Sequence, residues 1–117
     1  MNAREIVELF GPHQPVTLRR MFGGHGIYAD GVIFGIESDG EIFLKVDDES
    51  RDFFIDLGSG PFTYEKKAGQ RAIMSYYRLP AEAYDDEALL VDCLRAALGA
   101  ARRAGAIKAS PRNARNL

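Results

Sequence analysis

A glycine-rich segment, two histidines and a carboxylate run are the first candidates for chemistry in this chain. Gly23-Gly24-His25-Gly26 has the composition of a phosphate-binding loop. Such loops place their glycines between a strand and a helix N-terminus whose amides face the anion, whereas here a strand follows. The preferred reading is structural, with the glycines serving packing or a bulge. A neutral His25 imidazole could act as a general base if a polar cleft formed around it, but no partner is visible in sequence. A hydrogen-bonded structural or surface histidine is the preferred reading.

Asp47-Asp48-Glu49 invites a metal or acid/base reading, yet it lacks the glycine and spaced oxygen ligands of a calcium loop. Helix capping and favourable dipole contacts explain it more simply. His13 sits in a proline-rich loop, and no two ligand-type residues show metal spacing, so neither a metal nor a cofactor is expected. Cys93 is the single cysteine, which excludes an intrachain disulfide. It falls inside the last helix beside the Leu94 stripe, where a buried, inert thiol is expected.

Two features could meet nucleic acid. Tyr76-Tyr77 with Arg71 and Arg78 mixes rings and cations as single-strand binders do, but adjacent strand residues point to opposite faces, so only one tyrosine can serve a given platform. The other feature is the end of the chain, where Arg95, Arg102, Arg103, Lys108, Arg112 and Arg115 follow the last acidic residue, Asp92. Arg102, Arg103, Lys108, Arg112 and Arg115 are the candidate nucleic-acid contacts. Cations near a helix C-terminus also favour its dipole, and the formal charge of the whole chain is −2, so any attraction to polyanions must be local.

The elements that position these groups follow from periodicity and turn chemistry. Asn2 with Glu5 three positions on reads as a capping box for a helix from about Ala3 to Phe10, stopped at Gly11-Pro12. From Thr17 to Val46 the period drops to two, and Asp30-Gly31 and Asp39-Gly40 predict type I′ turns joining three antiparallel strands. A short helix carrying Phe53, Phe54 and Leu57 ends at Gly58. A hairpin then runs through Phe62-Thr63-Tyr64, a turn around Lys66 to Gly69, and Arg71 to Arg78. Asp85 can cap a last helix whose apolar stripe extends from Leu90 to Ala104 and stops at Gly105. The order is α-β-β-β-α-β-β-α, an α+β two-layer domain with a five-stranded antiparallel sheet and helices mainly on one face.

The turns also predict a register: Ser38 opposite Glu41, Ile36 opposite Phe43, Ala29 opposite Val32 and Ile27 opposite Phe34. One face would then carry Ile27, Val32, Phe34, Ile36 and Phe43. The other would carry Phe22, Tyr28, Ile33, Ile42, Leu44 and Val46, together with Gly24, Gly26 and Gly35, which would let a helix backbone approach. Both faces are largely apolar. The surplus suggests a covered second face, with Ile27, Phe34, Ile36 and Phe43 as candidate contacts for a partner or a second copy if the helices lie over the glycines.

At 117 residues, 46% hydrophobic and 27% charged, the chain reads as one globular domain spanning 1–105, followed by a basic, flexible tail at 106–117. Its apolar stretches fall short of a membrane span and the N-terminus has no signal-peptide core, so the simplest location is the cytoplasm.

Several segments together resemble the TfoX/Sxy N-terminal domain family. They are Met21-Phe22-Gly23-Gly24, Gly26-Ile27-Tyr28, Asp30-Gly31, Phe34-Gly35, Leu44-Lys45-Val46-Asp47, Pro61-Phe62-Thr63-Tyr64 and Met74-Ser75-Tyr76-Tyr77. The resemblance covers about Ile6 to Ala101. It implies a secretion-chaperone-like fold and kinship with bacterial regulators of natural competence, without catalytic residues to carry over. The separate C-terminal helical domain of the full-length regulators is not expected here. The expected function is a non-catalytic protein-interaction or regulatory module; a nucleic-acid accessory role through the basic end, or a small enzyme, are the alternatives.

Overall fold

The computed structural model describes residues 1–21, 23–66 and 69–116, the side chains of 64–66 and 106–116 excepted. Helix α1 (Ala3–Phe10) starts as a reciprocal capping box: the Glu5 N–H donates to Asn2 Oδ1 and the Asn2 N–H to Glu5 Oε1, both at 2.9 Å. This satisfies two otherwise orphaned donors. Ile6 and Phe10 form its buried stripe, and the Phe10 ring stands edge-on to Phe34 at 5.5 Å.

Among the described residues six strands follow rather than five: β1 (Thr17–Met21), β2 (Gly24–Ala29), β3 (Val32–Ser38), β4 (Glu41–Lys45), β5 (Pro61–Lys66) and β6 (Gly69–Arg78). The extra strand arises because Gly23, at φ +78°, lets the chain reverse between Met21 and Gly24, a conformation side chains resist. Its glycine therefore makes a turn, where the sequence suggested packing or a bulge. The Asp-Gly turns are as predicted, with φ +52° and +80° at Asp30-Gly31 and +51° and +82° at Asp39-Gly40.

The sheet order is β1-β2-β3-β4-β6-β5, antiparallel at every pair. Between β4 and β5, helix α2 (Arg51–Asp56) carries the chain past the position that β6 later fills. Asp47 accepts the Glu49 and Ser50 N–H groups at 3.1 Å before this helix, and Gly58 (φ +80°) ends it. A 3₁₀ turn (Ala81–Tyr84) leads into α3 (Glu87–Asn116). The cap falls on Asp86 instead of Asp85, since Asp86 Oδ1 accepts the Leu89 N–H at 3.1 Å. The α3 backbone continues past Gly105 through residues expected to form a tail.

All three helices bury their apolar residues on one face of the sheet. The core joins Ile6 and Phe10 of α1, Phe54 of α2, and Leu90, Cys93, Leu94, Ala97 and Ala101 of α3 to Ile27, Phe34, Ile42, Leu44 and Tyr77. The predicted register holds for Ser38–Glu41, Ile36–Phe43 and Ala29–Val32. It fails at one place, because Ile27 pairs with Gly35 and Tyr28 with Ile33, leaving Phe34 as an extra bulged residue. The bulge turns Phe34 inward without moving Ile36 or Phe43. The face predicted as continuous is therefore divided.

Gly24, Gly26 and Gly35 do not admit a helix. A Cβ on Gly24 would lie 1.9 Å from the Glu37 carbonyl oxygen, and one on Gly26 would crowd Met21 Sδ at 2.8 Å and the Tyr28 ring at 3.0 Å. One on Gly35 would meet Leu44 and Ile27. Their empty space is taken by strand neighbours.

Candidate functional site

Cross-strand pairing sets the composition of the face turned away from the helices. Arg19 pairs with Gly26, Gly26 with Ile36, Ile36 with Phe43 and Phe43 with Arg78, so these positions form one row across β1, β2, β3, β4 and β6. Beside it, Tyr28 pairs with Ile33 and Lys45 with Tyr76. Paired residues share a face. Neither Phe43 nor Tyr76 belongs to the helix-covered core, which instead takes their neighbours Ile42, Leu44 and Tyr77. The opposite pointing of Tyr76 and Tyr77 is as the alternation predicts.

Cations lie over the rings of this outer face. Arg19 Cζ is 5.3 Å from the Tyr28 ring centre, Lys45 Nζ 5.0 Å from that of Tyr76, and Arg78 Cζ 5.8 Å from that of Phe43. Such contacts hold a charge in place over an apolar base. Phe62 of β5 completes the aromatic row, its ring centre 4.4 Å from that of Phe43. The layer is tightly closed: Phe43 is only 4% exposed and Tyr76 8%, and burial pushes the Tyr76 phenol up. Tyr28, Ile33 and Ile36 are half-buried. Tyr28, Ile33, Ile36, Phe43, Phe62 and Tyr76 all lie outside the core cluster that the helices cover.

At one end of the same face a shallow groove of about 270 Å³ opens between the sheet and α3. Tyr28, Ile33 and Lys45 line its sheet side, and Ala101, Ala104 and Gly105 its helix side. A second cavity, of about 180 Å³, lies between α2 and the 3₁₀ turn, lined by Leu57, Ser59, Arg78 and Glu82 among others.

The candidate contacts of the sequence reading are not brought together. Ile27 and Phe34 are fully buried beneath the helices, so they cannot be partner contacts, while Ile36 and Phe43 lie on the outer face. The cause is the Phe34 bulge. Of the basic residues proposed for nucleic acid, Arg102 is exposed. Arg103 is already committed, with its Nε 2.6 Å and Nη2 3.0 Å from the Asp47 carboxylate and its Nε 2.8 Å from Glu49. The Arg103 guanidinium holds the Asp47 carboxyl down at about 2. The side chains of Lys108, Arg112 and Arg115, and all of Phe22, lie outside the described residues.

His25 does meet a carboxylate. Its Nδ1 is 2.7 Å from Glu37 Oε1 across the β2–β3 pair, and the other oxygen of Glu37 accepts the Gly40 N–H at 3.0 Å. Glu37 is 4% exposed. Both carboxylate oxygens thus brace strands and a turn, and the two cavities are lined by other residues. This is the hydrogen-bonded structural histidine rather than a histidine in a cleft. Cys93 is fully buried, and burial pushes its thiol up to about 11. Among the described residues no cluster of His, Cys, Asp or Glu could hold a metal ion, and no helix is long and apolar enough to cross a membrane.

A model of the TfoX N-terminal domain matches residues 8–101, from the second half of α1 through all six strands to the packed portion of α3. The chain belongs to the TfoX N-terminal domain family. It is also similar to Protein Sxy of Escherichia coli strain K12, with 28% identity over 86 residues. That alignment covers 74% of this chain and 41% of Sxy, so the TfoX N-terminal domain seen here spans well under half of that relative. Within the domain, sequence reasoning missed Arg19, Lys45 and Phe62 as parts of the outer face. The signal existed only in pairing across β1–β2 and β4–β6, which no local pattern displays.

Proposed function

We propose that this chain is a non-catalytic regulatory module that docks a protein partner on the outer face of its sheet. The observation that carries the reading is the aromatic layer of Tyr28, Phe43, Phe62 and Tyr76, which bears three cations and lies outside the core that the helices cover. Sheets packed on one side only usually present polar side chains to water on the other, whereas here Tyr28, Ile33 and Ile36 stay half-exposed beside the closed rings, an apolar surface that a partner can cover. Kinship with competence regulators fits a role exercised through another protein, and the cytoplasm is the compartment in which such regulation would occur.

A nucleic-acid role through the end of α3 has less support, because Arg103 is held by Asp47 and Glu49. The deciding experiment is affinity capture from the source cells with the unaltered chain, with Ile36→Glu on the outer face, and with Arg102→Glu on α3, each confirmed folded by circular dichroism. A partner lost only with Ile36→Glu is the expected result. Retention of every partner by that folded variant would refute the reading, and loss with Arg102→Glu alone would move the function to α3.

A further inference from the structure

We propose that two copies of this chain join edge to edge through β6, the stretch Gly69–Met74 of each pairing antiparallel with its counterpart about a two-fold axis. The surface is a rim of the sheet and not its outer face, so the proposal stands apart from the docking reading. Strand β6 runs for ten residues, yet β4 pairs with only Tyr76, Tyr77 and Arg78 of them. Beyond these, the Val46 N–H donates to the Ser75 carbonyl at 2.8 Å. No strand among the described residues lies on that side of Gly69–Met74, while β5 pairs with the other side from Gly69 to Ile73. The far half of the β5–β6 hairpin is thus a two-stranded arm. Two strands alone are marginally stable in water, and a third strand alongside supplies what they lack.

The side chains along this open stretch fit a second copy. Met74 is 53% exposed, more than any other large apolar side chain among the described residues, and Ile73 beside it is half-buried. Edge strands are commonly blunted by charge, as β1 is at the opposite rim by Arg19 and Arg20. From Gly69 to Ser75, β6 carries a single charged residue, Arg71. Residues opposed across the two-fold axis lie an even number of positions apart, because paired residues share a face. Centring the pair on Ile73 sets Ile73 against itself, Ala72 against Met74 and Arg71 against Ser75, so no like charges meet. A foreign strand is selected through pockets for its alternate side chains, and neither cavity is lined by a residue of this stretch. The rim offers a backbone ladder with an apolar centre, which its own copy matches.

Sedimentation velocity of the full chain from about 5 to about 500 µM is expected to show monomer giving way to dimer, as mass action requires. Over the same range, amide hydrogen exchange within Gly69–Met74 should slow severalfold while that of β1 stays unchanged, the signature of new backbone pairing at this rim. The double variant Ala72→Lys/Met74→Lys places like charges across the axis at two exposed positions and should remain monomeric with an unaltered circular dichroism spectrum. Ile36→Glu on the outer face should dimerise as the unaltered chain does. A monomer at the highest concentration would overturn the proposal, as would a dimer that persists in the folded double variant or forms without slowing exchange in Gly69–Met74. Loss of the dimer with Ile36→Glu alone would move self-association to the outer face. Should the double variant not fold, the exchange measurement on the unaltered chain decides by itself.

Discussion

Asp47→Asn tests whether α3 is pinned at Arg103 to the β4–α2 connection. The substitution keeps an amide oxygen able to accept the Glu49 and Ser50 N–H groups, so the local turn survives, but it removes the charge that binds Arg103 at 2.6 and 3.0 Å. The Asp47 carboxyl is lowered from 3.8 to about 2, chiefly by its hydrogen bond with Arg103. By linkage that difference is worth about 2 kcal/mol. Arg103 is 38% exposed, and solvent screening reduces the expected loss to ~1 kcal/mol, a fall of about 4 °C in Tm. Because the folded carboxyl is the more acidic, its contribution is complete above the unfolded value near 4 and is lost as pH falls toward 2. Roughly half should be gone by pH 3. Urea unfolding of the two proteins from pH 7 to pH 3 measures this. Equal stability at pH 7, or a gap that does not narrow with acid, would refute the pin.

The bulge predicts unequal costs on the two faces: Phe34→Ala should destabilise by about 3–5 kcal/mol by emptying the core beside Phe10, whereas Ile36→Ala on the half-buried outer face should cost only ~1 kcal/mol. Similar losses in denaturant unfolding would reinstate the unbulged register. Gly24→Ala should destabilise by ~2 kcal/mol or more, because its Cβ meets the Glu37 carbonyl at 1.9 Å, while Gly60→Ala, with nothing within 4 Å, should stay within about 0.5 kcal/mol. A thermal melt of each variant decides. Cys93 should resist an aromatic disulfide reagent in the native protein at neutral pH and react promptly in denaturant, since burial holds its thiol near 11. Rapid native labelling would show the helix-covered core to be open.

The amino-acid sequence by itself determined what neighbouring residues can settle among themselves. Asn2 and Glu5 are three apart on one helical turn, so their reciprocal cap was legible. Asp30-Gly31 and Asp39-Gly40 carry the positive φ angles their hairpins require, and the placement of Tyr76 and Tyr77 on opposite faces follows from strand alternation. The family segments from Met21 to Tyr77 likewise read directly. Tertiary structure decided what depends on distant partners. Gly23 became a turn because Arg19 and Arg20 could pair with Gly26 and His25. Phe34 left the strict alternation because turning inward places it against Phe10 in the core, a gain that period-two counting cannot register. His25 found Glu37 only through strand pairing, and Arg103 found Asp47 only when α3 had folded back across the sheet. The outer face is non-local for the same reason, since its rings and cations come from five strands and its charge pattern exists only once β4 lies beside β6.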